Sequence, residues 1–300
     1  MEMLKRIKIY FDEMMPLQQA SSGLILALAF FMALAKSNAL SLVPSTELIT
    51  SAISLCFFMI LIRIMDEYKD YEDDLINYPD RPLPSGRVLF KDLKALSVVV
   101  IAAIVALNFY SQPIAIAAAV VFGFSVLMLK WFFMEEAISS SLPLALISHH
   151  PIVYLYLIYL FVAFSVSNPS TSLESLYLII PFSTGFTNWE ISRKIRAPKD
   201  EDTYTTYSQI LGLKGALALA VVLQLIIVAG ISYYFLSVGT PMWFLGLYIA
   251  AYLPHLYLYI QFPKTGKTFA KASPKRPLRP IAESFQVLMI VAVIAEFILF

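Results

Sequence analysis

The run Asp66-Glu67-Tyr68-Lys69-Asp70-Tyr71-Glu72-Asp73-Asp74 places six carboxylates and one lysine within nine residues. Asp66, Asp70 and Asp74 are spaced four apart, so on a continuing helix they share one face, and Asp73 joins that side. Like charges at this spacing repel, more strongly where the dielectric is low, and call for a cation. Carboxylate oxygens are hard ligands. They suit Mg²⁺, which keeps several waters and shares its shell with phosphate oxygens. No histidine or thiol lies nearby to favour zinc, and the glycine and final glutamate of a calcium loop are missing. The next run is Pro79-Asp80-Arg81-Pro82-Leu83-Pro84-Ser85-Gly86-Arg87. Its prolines stiffen the chain, so Arg81 and Arg87 can be held over the acids, and a guanidinium captures a phosphate group through paired hydrogen bonds. Acids, metal and arginine describe a diphosphate site, with Lys69 as a further phosphate contact.

A looser version recurs in Asn188-Trp189-Glu190-Ile191-Ser192-Arg193-Lys194. Glu190 is the first acid, but Lys194 stands four residues on, and Asp200, Glu201 and Asp202 come only after Pro198. Two readings stand. Either Glu190 is a metal ligand while Arg193 and Lys194 hold diphosphate, or Asp200 and Asp202 are the ligands and the basic residues are topological anchors. The first is preferred, because Glu190 sits at the level of the membrane boundary as Asp66 does. Asn188 is either a ligand or a polar residue facing the interior.

The elements that position these groups must be membrane helices. The chain is 300 residues long, 59% hydrophobic and only 14% charged, outside the soluble globular range. About nine windows reach the roughly 20 apolar residues of a span: 17–36, 46–65, 93–110, 113–133, 139–166, 172–191, 212–237, 241–262 and 280–300. The expected fold is therefore an all-α integral membrane bundle of about nine transmembrane helices, residues 1–300 forming one domain. With the N-terminus in the cytoplasm, Lys5, Arg6, Lys8, the segments 69–94 and 193–199, Lys130 and the linker 264–279 all fall inside. The opposite side keeps almost only Lys36, an asymmetry that orients a multi-pass protein of the cell inner membrane. The motif loops 66–92 and 190–208 are then cytoplasmic, and residues 1–15 read as an interfacial amphipathic helix.

A single cysteine, Cys56, excludes disulfides and cysteine metal sites within the chain. A net charge of +1, spread over several segments, gives no reason to expect nucleic acid, and no obligate protein partner is implied. Membrane lipids are the expected surroundings, and the basic linker before the last helix is read as a headgroup anchor. His149 and His150 fall midway along the fifth window, beside Pro151. They are candidates for a pocket and a base, against the plainer reading of hydrogen-bonded interior histidines. His255 is read as structural, and Tyr68, Tyr71 and Tyr204 are candidates to line a cavity or to stabilise a cation through their ring faces.

The Asp66–Asp74 run followed by Arg-Pro-Leu-Pro-Ser-Gly-Arg resembles the first signature of the UbiA superfamily of intramembrane prenyltransferases, N-D-x-x-D-x-x-x-D with R-P-x-P-S-G often following. Asp66 stands at the usual asparagine, Glu67 at the aspartate, and Asp70 and Asp74 match directly. Of the second signature, D-x-x-x-D, only Glu190 is met, with Lys194 in the second place. The resemblance covers nearly the whole chain. It implies a nine-helix fold in which Mg²⁺, held by Asp66, Glu67, Asp70, Asp74 and Glu190, assists ionisation of an isoprenyl diphosphate bound by Lys69, Arg81, Arg193 and Lys194. The allylic cation is then captured by an aromatic or lipid acceptor.

A membrane terpene cyclase is the rival within enzymes, since cyclisation needs no activated acceptor. A cation-binding transporter is the rival from another class. Transporters place ligands near the midplane on broken helices, whereas these acids sit at helix ends.

Overall fold

The computed structural model describes residues 2–16, 21–265, 273 and 275–300, and the regular structure among them is helical. In chain order the α-helices are α1 (Met3–Met14), α2 (Ser22–Ser37), α3 (Thr46–Lys69), α4 (Tyr71–Asn77), α5 (Phe90–Asn108), α6 (Gln112–Leu129), α7 (Glu135–Ser139), α8 (Leu142–His149), α9 (Pro151–Ser167), α10 (Ile179–Ser192), α11 (Tyr207–Ser237), α12 (Met242–Thr265) and α13 (Arg279–Leu299). Among the described residues six spans are long and apolar enough to cross a membrane: α3, α6, α8 with α9, α11, α12 and α13. Helix α2 is a shorter apolar helix.

The other two expected windows are helical but fall short as spans. The N-terminal part of α5 carries Lys91, Asp92 and Lys94, and α10 has 14 residues preceded by a 3₁₀ segment, Leu173–Leu178. Fourteen residues rise about 21 Å, less than a hydrocarbon core of about 30 Å. The basic linker 264–280 lies largely outside the described residues.

The chain separates into two compact units: Met1–Leu28, Val43–Ser139 and Ile158–Pro169 form the first, and Ala29–Leu42, Ser140–Leu157 and Ser170–Phe300 the second. In the first, Ser45 starts α3 by accepting from the Leu48 N–H at 3.3 Å, one of the donors a helix start leaves unpaired. Twenty-four residues rise about 36 Å, so a helix that crosses the core delivers its last turn to the membrane edge. It buries Leu55, Phe58, Leu61 and Ile64 beside Leu93, Val100 and Ile104 of α5. A buried polar knot joins three helices: Asn108 donates to Ser54 Oγ at 2.9 Å and accepts from the Tyr159 hydroxyl at 2.7 Å. Helix α1 docks on α5 through Arg6, whose Nε and Nη2 reach both oxygens of Asp92 at 2.6 and 2.7 Å.

In the second unit α10 packs along α11 closely enough that a Cβ added at Gly230 would lie 3.0 Å from Pro181. Small residues at such crossings are how membrane helices gain contact without a hydrophobic drive. Thr206 and Gln209 box the start of α11, and Gly212, at φ +68°, breaks it where an L side chain would be strained. Near its far end Glu296 is fully buried, accepting from Tyr234 at 2.9 Å and Thr240 at 3.0 Å, with Lys36 at 3.7 Å.

The Asn108 knot gives a stability prediction. Tyr159→Phe strands one acceptor and should lower stability by about 1 kcal/mol. Asn108→Ala strands Ser54 and Tyr159 together and should cost about twice that. Unfolding of bicelle-embedded protein by added SDS measures both; variants as stable as the parent would show that the knot contributes nothing.

Candidate active site

The acid run does not lie on one uninterrupted helix. α3 ends at Lys69, Asp70 has φ −98° and ψ 10°, and α4 restarts at Tyr71. The four-residue repeat survives the break, because the Asp70 N–H bonds the Asp66 carbonyl, the Asp74 N–H that of Asp70 and the Tyr78 N–H that of Asp74, at 2.8, 2.8 and 2.9 Å. The spacing that places Asp66, Asp70 and Asp74 in sequence is thus held by the backbone itself. Glu72 and Asp73 are exposed and stand apart from the strip.

Each acid but one is matched to a local cation. Asp66 lies 3.2 Å from Lys69, Glu67 accepts from Arg63 at 2.5 Å, and both oxygens of Asp74 accept from Arg81 at 2.6 Å. Asp70 has no hydrogen bond or ion pair to its carboxyl among the described residues. Its pKa is pushed up to about 6 by burial, with Asp66 and Asp74 adding to the rise and Lys69 opposing it. Four carboxylates thus face three cations.

Arg81 is held from two sides. Its guanidinium stacks 3.9 Å from the Tyr78 ring, and the proline loop folds back through Ser85 N–H to Arg81 carbonyl at 3.0 Å and Val88 N–H to Pro82 carbonyl at 2.8 Å. Gly86, at φ +72°, allows the turn. Arg87 is not brought to the acids; it pairs with Glu13 of α1 and donates to the Asp80 carbonyl at 2.6 Å. Tyr68 and Tyr71 pack on Phe90 with ring centroids 5.5 and 4.7 Å away, so Tyr68 serves the α3–α5 contact and Tyr71 that between α4 and α5.

Lys69 sits 4.6 Å from the ring of Trp131, a residue the sequence reading passed over. Trp131, Phe132 and Phe133 all have positive φ, at 48°, 52° and 59°. Three such non-glycine residues in succession cost about 1–2 kcal/mol each and persist only where surroundings impose them. The residues carry no glycine or asparagine that would have marked this turn.

In the second unit Glu190 is engaged at both oxygens, by Arg193 at 2.5 and 2.9 Å and by Lys194 at 2.9 Å. Arg193 lies 5.0 Å from the Trp189 ring and Arg279 5.7 Å from it, while Glu283 accepts from Trp189 Nε1 at 3.1 Å and from Arg279 at 2.7 Å. Two of the chain's three tryptophans therefore carry site cations.

Of the acids after Pro198, Glu201 and Asp202 are committed to the fold. Glu201 accepts from Thr206 and Ser208 at the start of α11, at 2.9 and 2.5 Å. Asp202 pairs with Arg196 at 2.6 Å and Lys275 at 3.4 Å, and the Tyr204 N–H, then Arg196, hold its carboxyl below the usual range. Asn188 is fully buried, accepts from Ser192 at 3.4 Å, and its Nδ2 has no partner among the described residues. His150 bonds Thr187 at 2.5 Å, and His149 bonds Ser148 at 2.9 Å and the Ala145 carbonyl at 3.1 Å. His255 bonds Ser284 at 3.0 Å.

Asp66, Asp70 and Asp74 fit a divalent ion by donor chemistry: hard oxygens, one of them unmatched, with an ammonium and a guanidinium standing where positive charge is needed. Among the described residues, however, no three acidic, histidine or cysteine side chains are already gathered around one point.

No protein-family model matches the chain, and no curated protein does. Two solved structures are similar over nearly its full length. The apo structure of a UbiA homolog from Aeropyrum pernix K1 matches with a TM-score of 0.64 at 14% identity, covering 91% of this chain and 97% of that one. A structure described as giving insight into the biosynthesis of digeranylgeranylglyceryl phosphate synthase in membranes matches with a TM-score of 0.62 at 17% identity, covering 98% of each chain. The fold is therefore UbiA-like.

The unmatched Asp70 sets a pH-dependent stability. Its folded pKa of about 6 lies above the ordinary 3.8, so the fold prefers the neutral acid. The resulting penalty is absent below 3.8, where the carboxyl is protonated in both states, grows through this window and is complete above about 6. In EDTA at pH 7.5, Asp70→Asn should therefore stabilise the protein, by up to about 3 kcal/mol at 1.4 kcal/mol per pKa unit. The gain should vanish near pH 3.8. Unfolding midpoints across pH measure it, and a destabilised Asp70→Asn at neutral pH would overturn the assignment.

Proposed function

We propose that this chain is a member of the UbiA superfamily, a Mg²⁺-dependent prenyltransferase that ionises an isoprenyl diphosphate at the cytoplasmic membrane face and passes the prenyl group to an aromatic or lipid acceptor. The observation that carries the reading is the Asp66, Asp70, Asp74 strip with its cations Lys69 and Arg81, at the end of a membrane-spanning helix in a UbiA-like fold. The cytoplasmic placement rests on the distribution of basic residues.

Asp66, Asp70 and Asp74, with Glu67 beside them, would hold Mg²⁺, which when bound offsets the charge that grows on the departing diphosphate. Arg81 and Lys69 each neutralise a carboxylate, Asp74 and Asp66, and would be the cations available to phosphate oxygens if those acids held a metal instead. Breaking the C1–O bond sends its electron pair to the diphosphate oxygen and leaves an allylic cation. Apolar helix faces keep water from that cation until an acceptor atom attacks C1 and gives up its proton. In the second unit Glu190 orders Arg193 and Lys194, which supply further cations for phosphate oxygens. For Glu190 itself to ligate a metal, those two cations must first leave it.

The engagement of Glu190 also favours a second reading. With both its oxygens taken and His150 bonded to Thr187, neither is open to accept an acceptor's proton, which suits cyclisation of the prenyl chain on itself. Product analysis separates the two. With farnesyl or geranylgeranyl diphosphate, Mg²⁺ and no acceptor, a cyclase releases a hydrocarbon or terpene alcohol and a transferase does not.

Asp70→Asn with Asp74→Asn should lower Mg²⁺-dependent diphosphate release at least about 100-fold, as expected when an electrostatic contribution of several kcal/mol is lost. Because Asp70 must lose its proton to face a cation, the Mg²⁺ needed for half-maximal rate should rise about fivefold from pH 6 to pH 5. Undiminished release by the double variant would defeat the metal assignment.

A further inference from the structure

The N-terminal helix buries a group that the acid strip leaves unexplained. Tyr10 of α1 is fully buried, and its hydroxyl has no hydrogen-bond partner among the described residues. A buried phenol ordinarily finds one, so an orphan of this kind calls for a reason. The charged and polar groups whose fields reach it are Glu67, Arg63, Asp66 and Tyr68, all on the last two turns of α3. Tyr10 is therefore set toward the membrane-edge end of α3, among residues of the acid strip. Its position is fixed rather than loose. Arg6, one turn earlier on α1, grips both oxygens of Asp92, and Glu13, one turn later, is gripped by Arg87 from the proline loop. Two charged clamps thus hold a twelve-residue helix against the start of α5 and the proline loop, with an unsatisfied donor between them.

The nearby acceptors are spoken for: Glu67 is bonded by Arg63 at 2.5 Å, and Asp66 lies against Lys69 at 3.2 Å. Burial, reinforced by the charges of Glu67 and Asp66, pushes the phenol far above its ordinary pKa, so it remains a proton donor and does not serve as a base. What the group lacks is an acceptor that arrives from outside. A diphosphate has only acceptor oxygens in its ionised form.

We propose that Tyr10 is a substrate-contacting residue whose hydroxyl donates to a phosphate oxygen of the bound diphosphate, so that α1 is part of the active site as well as an interfacial anchor. This rests on the prenyl diphosphate reading above. The hydroxyl then gains the partner it lacks in the ligand-free fold.

Titration of inorganic pyrophosphate, with Mg²⁺ present, into the full-length protein in nanodiscs tests it. Tyr10→Phe keeps the ring and removes only the donor, so pyrophosphate should bind about tenfold more weakly, the size expected for one hydrogen bond to a charged acceptor. The unfolding midpoint should be unchanged or raised, because no bond is lost in the ligand-free state. Wild-type affinity in Tyr10→Phe would overturn the inference alone, leaving the prenyltransferase reading in place. A lowered midpoint with unchanged affinity would make the hydroxyl a group of the fold and overturn it too. Failure of the wild-type protein both to bind pyrophosphate and to release it from a prenyl diphosphate would remove the reading and the inference together.

Discussion

Four carboxylates at the end of an apolar helix are tolerable only if positive charge is brought to them, and much of the first unit is arranged around that requirement. Partial desolvation strengthens every repulsion among Asp66, Glu67, Asp70 and Asp74, because water no longer screens it. Arg63 and Lys69 answer from within α3 at the three- and four-residue spacings where helix side chains meet. Arg81 answers from a loop whose prolines restrict it before any contact forms, so little is lost in ordering it. Trp131 holds the lysine by its ring face, at the expense of a left-handed turn that few sequences would adopt. The compensation stops one charge short at Asp70, so the strip is not a closed ion-pair network.

The same rule recurs at the other buried charges, with a different outcome. Glu296 is satisfied by two hydroxyls and Lys36, and Asp92 by both arms of Arg6, so neither has an opening for a ligand. These pairs are better read as fasteners, since breaking one would leave a charge stranded in a poor solvent for it. The Lys36 pairing also bears on topology. Lys36 is almost the only basic residue assigned to the outer side, and a carboxylate lies beside it.

What was legible in the chain, and what was not, follows from the range of the interactions involved. The helical membrane architecture could be read because it depends on runs of apolar side chains, and the acid strip because a four-residue period is a local property of one helix. The break at Asp70 could not, since the apolar-to-polar change there is no sharper than elsewhere in the run. Spans and partial spans were hard to separate for the windows at 93–110 and 172–191, where hydropathy is high but charges or a 3₁₀ start shorten the helix. Trp131 and Tyr10 were missed for a different reason. Neither has a motif, and each gains its meaning from a residue 62 or more positions away: Lys69 for Trp131, Glu13's clamp at Arg87 and the Arg6–Asp92 pair for the helix that carries Tyr10. Only tertiary structure makes such pairs adjacent.

The two constellations also differ in the sign of what they leave unmatched, and this bears on how many metal ions the chain is suited to hold. At the strip, three cations face four carboxylates, an excess of one negative charge. At Glu190, two cations face one carboxylate, an excess of one positive charge. A divalent ion approaching the first group is attracted and relieves repulsion already present. Approaching the second, it meets two cations that hold its only ligand, one of them a bidentate guanidinium that gives up hydrogen bonds on leaving. The two groups therefore differ in sign: an unmatched carboxylate at Asp70 and one cation more than carboxylate at Glu190.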